Sequence, residues 1–275
     1  MDTNNIIPIV CRIEKIVEQT SDVKTFYVVG KDGKKPFEHK CGQCAMISIP
    51  PYGEAMISIT SSPTVKEYLE FSIKKVGTLT SILHEIEEGQ DILVRGPLGH
   101  PFPADTEFLG KDMIIIGGGI GIAPVRSVID YILDNRQNYK SLTIVYGARN
   151  EENFVCKNEI ENVWKKAPDT NVCLTVDGVY KNWDGNVGFV PDYIEKLNLN
   201  TEATVILCGP PIMIKLTLDK LLKMGFKKQN IYTTLEMRMK CGIGKCGRCN
   251  IGNKYICKDG PVFRMDELEY LPDEY

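Results

Sequence analysis

The chain has 275 residues, long enough for two compact domains and a small module. Apolar residues make up 43% and charged residues 25%, an ordinary globular balance that excludes a disordered or fibrous chain. The net charge of −3 leaves no global basic field to hold nucleic acid. The unusual figure is 10 Cys, four of which fall between positions 241 and 257. That is too sparse for a disulfide scaffold and points to redox or metal chemistry.

The N-terminus shows no basic region followed by an apolar run and a cleavage site. The most apolar stretch, 113–125, carries four glycines and is too short for a membrane span. A cytoplasmic location is expected, and its reducing chemistry keeps clustered thiols free for a metal or an iron–sulfur group.

The first hundred residues read as short strands. Ile9–Glu18, Lys24–Val29, Ala45–Ile49 and Tyr68–Lys74 are β-branched or aromatic runs between Gly, Pro and Asp turns. Their spacing predicts an antiparallel barrel. One helix interrupts them: Thr78–Glu88 sets Leu79, Ile82, Leu83 and Ile86 on one face, and Gly89 stops it.

After Pro101-Phe102-Pro103 strands alternate with helices. Strands are predicted at Met113–Ile116, Leu142–Tyr146, Val172–Val176 and Thr204–Cys208. Helices are predicted at Pro124–Asn135, Asn158–Lys166, Pro191–Leu197 and Pro211–Met224. This alternation means βαβ units and a parallel sheet covered on both faces. The tail beyond Leu235 is Gly- and Cys-rich, then acidic after Arg264. The expected segments are 1–105, 106–232 and 233–275.

Strand Met113–Ile116 runs into Gly117, Gly118, Gly119, Ile120, Gly121, Ile122, Ala123 and Pro124. Glycines let a backbone approach a pyrophosphate, and the following helix offers free N–H groups and its positive dipole end. A tight turn without a ligand is the competing reading. These glycines are contiguous, unlike the G-x-G-x-x-G fingerprint, which indicates a different dinucleotide fold. A second turn, Cys208-Gly209-Pro210-Pro211-Ile212-Met213, falls on the same predicted sheet edge.

Together these turns resemble the ferredoxin–NADP reductase superfamily, over essentially the whole chain. The resemblance implies an antiparallel β-barrel flavin domain, an α/β parallel-sheet nicotinamide-binding domain and a small C-terminal [2Fe–2S] module. The family motif Arg-x-Tyr-Ser matches the segment starting Ala55-Met56-Ile57-Ser58-Ile59. Ser58, with Ile59, is implied near the flavin ring, while Ala55 and Ile57 stand where the family carries Arg and Tyr. Gly77, Thr78 and Thr80 are implied donors to the pyrophosphate of FAD. Gly96-Pro97-Leu98-Gly99 is a further turn of the family type. Gly117, Gly118, Gly119, Gly121, Pro124, Cys208, Gly209 and Pro210 then frame the nicotinamide, with Cys208 beside its reacting ring. Asp177, after the strand Val172–Val176, favours NADH over NADPH, since an acidic residue repels a 2′-phosphate; a plain turn is the alternative there.

The cysteine spacing is Cys241-x4-Cys246-x2-Cys249-x7-Cys257. Its first three positions have the plant-type [2Fe–2S] spacing; four thiolates on structural zinc are the alternative. Arg238, Lys240, Lys245, Arg248, Lys254 and Lys258 surround the cluster, either as a solvated face or as a dock for an acidic redox partner. Cys41 and Cys44 match the family's turn before a barrel strand and are read as structural. Cys11, Cys156 and Cys173 are expected to pack. His39, His84 and His100 fit surface or turn positions, so no Ser-His-Asp catalyst is expected.

Two groups of the superfamily combine these modules. The segments around Ser58, Cys208 and Cys241 look like the electron-transfer subunits of anaerobic sulfite reductases and the gamma subunits of sulfhydrogenase-type cytosolic hydrogenases. The electron-transfer subunit of dihydroorotate dehydrogenase is the other group, and its final cysteine gap is usually longer. The resemblance implies electrons moving from NAD(P)H through FAD to the cluster and on to a partner. That partner is an iron–sulfur electron-transfer subunit with a catalytic reductase or hydrogenase subunit. The reading leans to sulfite reductase. A zinc-stabilised binding module is the alternative of another class.

Overall fold

A computed structural model describes residues 7–179, 181, 183–236 and 239–268. Arg238, the acidic tail from 269 and Tyr275 lie outside them. Two compact units divide the chain. One takes Met1–Phe102, Arg126–Tyr131 and Leu235–Val262; the other takes Pro103–Val125, Ile132–Thr234 and Phe263–Tyr275.

The first unit holds β1 (Ile9–Thr20), β2 (Val23–Gly30), β3 (Cys44–Ile49), β4 (Gly53–Ser58), β5 (Leu69–Lys74), α1 (Thr78–Glu85) and β6 (Asp91–Leu98). They form an antiparallel sheet in the order β4-β3-β6-β1-β2-β5. Its edge strands β4 and β5 approach each other, and Thr60 N–H donates to Glu70 C=O at 2.9 Å, so the sheet curls into a barrel. Alternation decides its inside: Ala45, Ile47, Phe26, Val28, Phe71 and Ile73 meet in one core. The opposite residues of β3, Cys44 and Met46, point outward and form a second apolar patch with Leu98, Met56 and Ile243. Helix α1 is shorter than the sequence pattern predicts, because Ile86 adopts extended backbone and ends it at Glu85.

The second unit holds β7 (Met113–Gly118), α2 (Ile122–Asp134), β8 (Leu142–Ala148), α3 (Lys157–Asn162), β9 (Thr170–Val176), β10 (Asn186–Val187), α4 (Val190–Ile194), β11 (Thr204–Cys208), α5 (Pro211–Lys223) and β12 (Ile231–Thr234). Strand β13 (Asn250–Ile251), β14 (Lys254–Tyr255) and α6 (Ile256–Asp259) follow in the cysteine segment of the first unit, then β15 (Val262–Arg264). The larger sheet runs β10-β9-β8-β7-β11-β12-β15, and every pair from β10 to β12 is parallel. The chain winds one way from β7 through β8 and β9, then returns to β11 on the other side of β7. The carboxyl ends of β7 and β11 therefore flank a topological switch point, where open α/β sheets take ligands.

The helix expected over 158–166 is broken. It ends at Asn162, leaves helical geometry at Val163 and resumes as a 3-10 turn over Trp164–Lys166. The break coincides with complete burial of Trp164. Among the described residues no helix is long and apolar enough to cross a membrane.

Candidate functional site

The glycine turn and the Cys208 turn interlock. Gly117 of β7 pairs with Cys208 of β11 in register. A Cβ on Gly121 would sit 2.6 Å from Gly209 Cα and 2.7 Å from Cys208 O, and one on Gly118 would strike the Met213 sulfur. Only bare backbones fit this close. Gly119, at φ +54°, faces open space. Helix α2 starts at Ile122, two residues earlier than predicted, and Pro124 falls in its first turn. Cys208 is buried, with Sγ 3.0 Å from Thr234 Oγ1 at the end of β12. Thr234 escaped the sequence reading because its short strand carried no motif. Asp177 N–H donates to Ala148 C=O, and burial raises the Asp177 pKa while Arg149 opposes that rise. Arg149, directly after β8, was also missed; its only signal was its place at the same sheet edge.

The flavin motif is split by the strand. Ala55 and Ile57 pack against the barrel core, so no ring-stacking or cationic side chain projects at those positions. Met56 and Ser58 take the other face, where Ser58 stands opposite Cys44. Ile59 is buried in the core, and the buried Thr60 Oγ1 has no hydrogen-bond partner among the described groups. At α1 the Thr80 hydroxyl is occupied locally: it accepts from Val76 and Gly77 N–H and donates to Gly77 C=O. The first intrahelical bond runs from Ser81 N–H to Gly77 C=O, leaving the N–H groups of Thr78, Leu79 and Thr80 without intrahelical acceptors. Gly77 has open space where a side chain would be. The open glycine and the unused N–H groups fit an anionic flavin dinucleotide.

His39 corrects the sequence reading: it is 6% exposed, beneath the motif rather than on the surface. Its Nε2 lies 3.0 Å from Ser61 O, and Nδ1 has no partner among the described groups. Burial pushes its pKa down to about 4, with the Ser61 contact opposing. The unfolded chain therefore takes up a proton near pH 6.5 that the folded chain resists. Stability from His39 is complete above about pH 6.5 and drains away as the pH falls towards 4, by roughly 2–3 kcal/mol. Urea unfolding of wild type and His39→Gln between pH 7 and 4.5 should show the steeper acid loss in wild type; parallel curves would refute this.

No two cysteines form a disulfide, and those expected to pack are buried: Cys11, Cys41, Cys44, Cys156 and Cys173. Cys44 donates to Leu98 C=O and Cys41 to Ser127 C=O, both at 3.4 Å. The other cluster is built by its loop. Gly242, Gly244 and Gly247 all have φ near +70°, which turns the chain tightly around Cys241. Cys241 Sγ accepts from the N–H groups of Ile243, Lys245 and Cys246 at 3.5, 3.3 and 3.4 Å. Burial raises its pKa, but these bonds outweigh burial and hold it at about 6, with the Cys246 thiol as a further donor. The x7 gap is the β13–β14 hairpin, which returns Cys257 to 3.3 Å from Cys249. Gly244 N–H donates to Cys257 Sγ at 3.0 Å.

Among the described residues no three potential ligands close on a single metal point. The thiols come as two pairs, 241 with 246 and 249 with 257. Two thiolates on one tetrahedral metal at about 2.3 Å stand about 3.8 Å apart. Paired thiols with backbone N–H donors aimed at sulfur are a donor set that fits an iron–sulfur group.

This loop covers the outward patch of the barrel. A Cβ on Gly242 would meet Met56 Cε at 3.3 Å and Leu98 Cδ1 at 3.1 Å, and Ile243 packs with Cys44, Met46 and Leu98. Its far end is fixed by the Gly96–Gly99 turn: Gly99 lies against Pro261, and His100 N–H donates to Gly260 C=O at 2.5 Å.

Family profiles agree with both regions. Residues 115–219 match the oxidoreductase NAD-binding domain. Residues 236–269 match the iron–sulfur cluster binding domain of dihydroorotate dehydrogenase B. Sulfhydrogenase 1 subunit gamma of Pyrococcus furiosus is 39% identical over 270 residues, covering 95% of this chain and 92% of the relative. The chain belongs to the ferredoxin–NADP reductase superfamily, with the sulfhydrogenase gamma subunits. It is an NAD-dependent oxidoreductase chain with an iron–sulfur domain. A probable dihydroorotate dehydrogenase B electron transfer subunit of Methanocaldococcus jannaschii is 34% identical, covering 96% of this chain and 92% of the relative. A solved NADH-dependent reduced ferredoxin–NADP oxidoreductase superposes with a TM-score of 0.76 at 28% identity, covering 93% of this chain and 88% of that one.

Proposed function

We propose that this chain is an electron-transfer subunit that draws electrons from NADH and delivers them through FAD and a [2Fe–2S] cluster to a partner subunit in the cytoplasm. One observation carries the reading: Ser58 of the flavin motif and the thiol loop share one face of β4, with Met56 touching Gly242. When bound, these groups would supply hydride transfer between nicotinamide and flavin and single-electron transfer between flavin and cluster. The protein binds and orients. Backbone N–H groups of Thr78, Leu79 and Thr80, beside the open Gly77, hold the flavin pyrophosphate, and Ser58 lines its ring. Ile59, wholly buried in the barrel core, does not reach it, and the Gly77 N–H is taken by the Thr80 hydroxyl. Gly117, Gly118, Gly119, Gly121 and Pro124 seat the nicotinamide dinucleotide, while Cys208, Gly209 and Pro210 close the nicotinamide end. Cys241, Cys246, Cys249 and Cys257 would hold the iron–sulfur cluster. The proposed working segments are 1–105, 106–232 and 233–275. Lys240, Lys245, Arg248 and Lys258 are exposed beside the thiols and offer a basic face to an acidic partner.

The test is an anaerobic titration of the purified protein with NADH. Flavin absorption should bleach first and the broad cluster absorption after it. A colourless, zinc-containing protein would sink the reading. Asp177 makes a separate prediction: kcat/KM should favour NADH over NADPH by at least about fivefold, from one repulsive charge contact near the surface. Asp177→Asn should narrow that ratio; a wild-type preference for NADPH would overturn the role.

The proposed terminal partner is an anaerobic sulfite reductase, from the segments around Ser58, Cys208 and Cys241. The sulfhydrogenase relative at 39% identity favours a hydrogenase partner as the second reading. Co-purification from the native organism, assayed for sulfite reduction and for hydrogen production, separates the two.

A further inference from the structure

Arg95 lies on β6 with its side chain 8% exposed. Its Nη2 donates to the backbone C=O of Lys240 at 3.4 Å. Its Nη1 lies against Gly242, where a Cβ would approach to 3.3 Å. Lys240 and Gly242 flank Cys241, so one buried guanidinium touches the chain on both sides of the first thiol.

The charge of Arg95 is poorly offset by the described residues. Among the described residues the carboxylate within ion-pair range is Glu54, its Oε2 at 3.9 Å from Nη2 and on a partly exposed side chain. The other buried arginine, Arg126, touches Glu70 directly and has Asp130 within 3.4 Å. A buried charge is costly unless an opposite charge compensates it. Arg95 is directed at the loop whose thiols would carry an anionic cluster. Such an anion would add to the partial compensation that Glu54 provides.

We propose that Arg95 is a positioning residue for Cys241 and that its charge favours the reduced form of the iron–sulfur group. The inference rests on the function proposed above, because it needs a cluster in the loop. Adding one electron makes the cluster more negative, so a fixed cation beside the first ligand stabilises that state. The Nη2 bond to Lys240 also holds the loop at the residue where it leaves the barrel and turns to its ligands.

The experiment is a redox titration of the whole flavin-loaded protein with dithionite and mediators, read by the electron paramagnetic resonance signal of the cluster. At a fixed poise, Arg95→Met should lower the reduced-to-oxidised ratio about tenfold, equivalent to about 59 mV for a one-electron couple. Arg95→Lys keeps the charge and should lose less. Glu54→Gln removes the opposing carboxylate at a partly exposed site and should raise the ratio. Flavin content and circular dichroism report folding. An Arg95→Met protein that folds, keeps flavin and loses only its cluster, while Arg95→Lys retains it, also supports the positioning role. If Arg95→Met fails to fold, Glu54→Gln decides, and an unchanged ratio overturns the proposal. Unchanged ratios in both variants overturn it equally. Iron and sulfide analysis of wild type separates the two claims: no cluster there defeats the proposed function as well, whereas a cluster indifferent to Arg95 defeats only this inference.

Discussion

Gly121→Ala should cut the rate of flavin reduction by NADH roughly a hundredfold, while flavin and cluster absorption stay as in wild type. The added methyl would lie 2.6 Å from Gly209 Cα, 2.7 Å from Cys208 O and 2.7 Å from Gly209 N. All three are backbone atoms, so no rotamer change makes room. The two turns at the switch point must part by about 1 Å, and misplacement on that scale costs about a hundredfold in a site that works by orientation. The residues proposed to hold flavin and iron fall in the other compact unit, which is why their absorption reports independently. Stopped-flow reduction with NADH measures the effect. A wild-type rate would show that these turns do not seat the nicotinamide.

Cys257→Ser should give the opposite pattern. Cys257 sits 3.3 Å from Cys249, accepts from Gly244 N–H and is buried, so its loss removes half of one thiol pair and replaces a thiolate-forming ligand with a shorter, neutral hydroxyl. Losing even an outer hydrogen-bond partner of a metal ligand costs 10–100-fold in affinity, so losing a ligand should cost roughly a hundredfold or more. Iron content should collapse and delivery of electrons to a one-electron protein acceptor should fall with it. Reduction of flavin by NADH should persist, because the residues proposed for that step lie outside the cysteine loop. Retained iron with a normal cluster signal would remove Cys257 from the ligand set. The two variants together cut the proposed path at its two ends.

Much of this was legible because the chemistry depends on local spacing. The x4-x2-x7 cysteine pattern and the glycine run after Ile116 are contiguous, and each marks its own loop. Strands β4 and β6 were not legible as strands. In β4 no residue is fully buried, so Gly-Glu-Ala-Met-Ile-Ser lacks the strict alternation of a half-buried strand. In β6 the pair Gly96-Pro97 reads as a turn, yet the strand runs on to Leu98 with a register shift against β3 at that point. Missing those two strands hid what they carry: Met56 beneath the thiol loop and Arg95 beside Cys241. His39 was misplaced for a related reason, since nothing near it in sequence announces the Ser61 carbonyl 22 residues away.

The sequence alone pointed to a dinucleotide turn and a thiol-held metal group, because thiol spacing, glycine runs and strand–helix alternation are set by neighbours in the chain; the flavin followed only from the family resemblance. It also determined which residues fall at the ends of β7 and β11. Only the tertiary structure decided that the cysteine loop packs on the barrel unit, that its thiols stand in two pairs, and that Ser58 shares a face with Met56 and Cys44. The physical reason is distance along the chain. Gly242 meets Met56 and Leu98, and Arg95 reaches Lys240, across more than a hundred residues. Contacts of that range depend on which face of a strand turns outward, and a local pattern leaves that choice to the packing of the whole barrel.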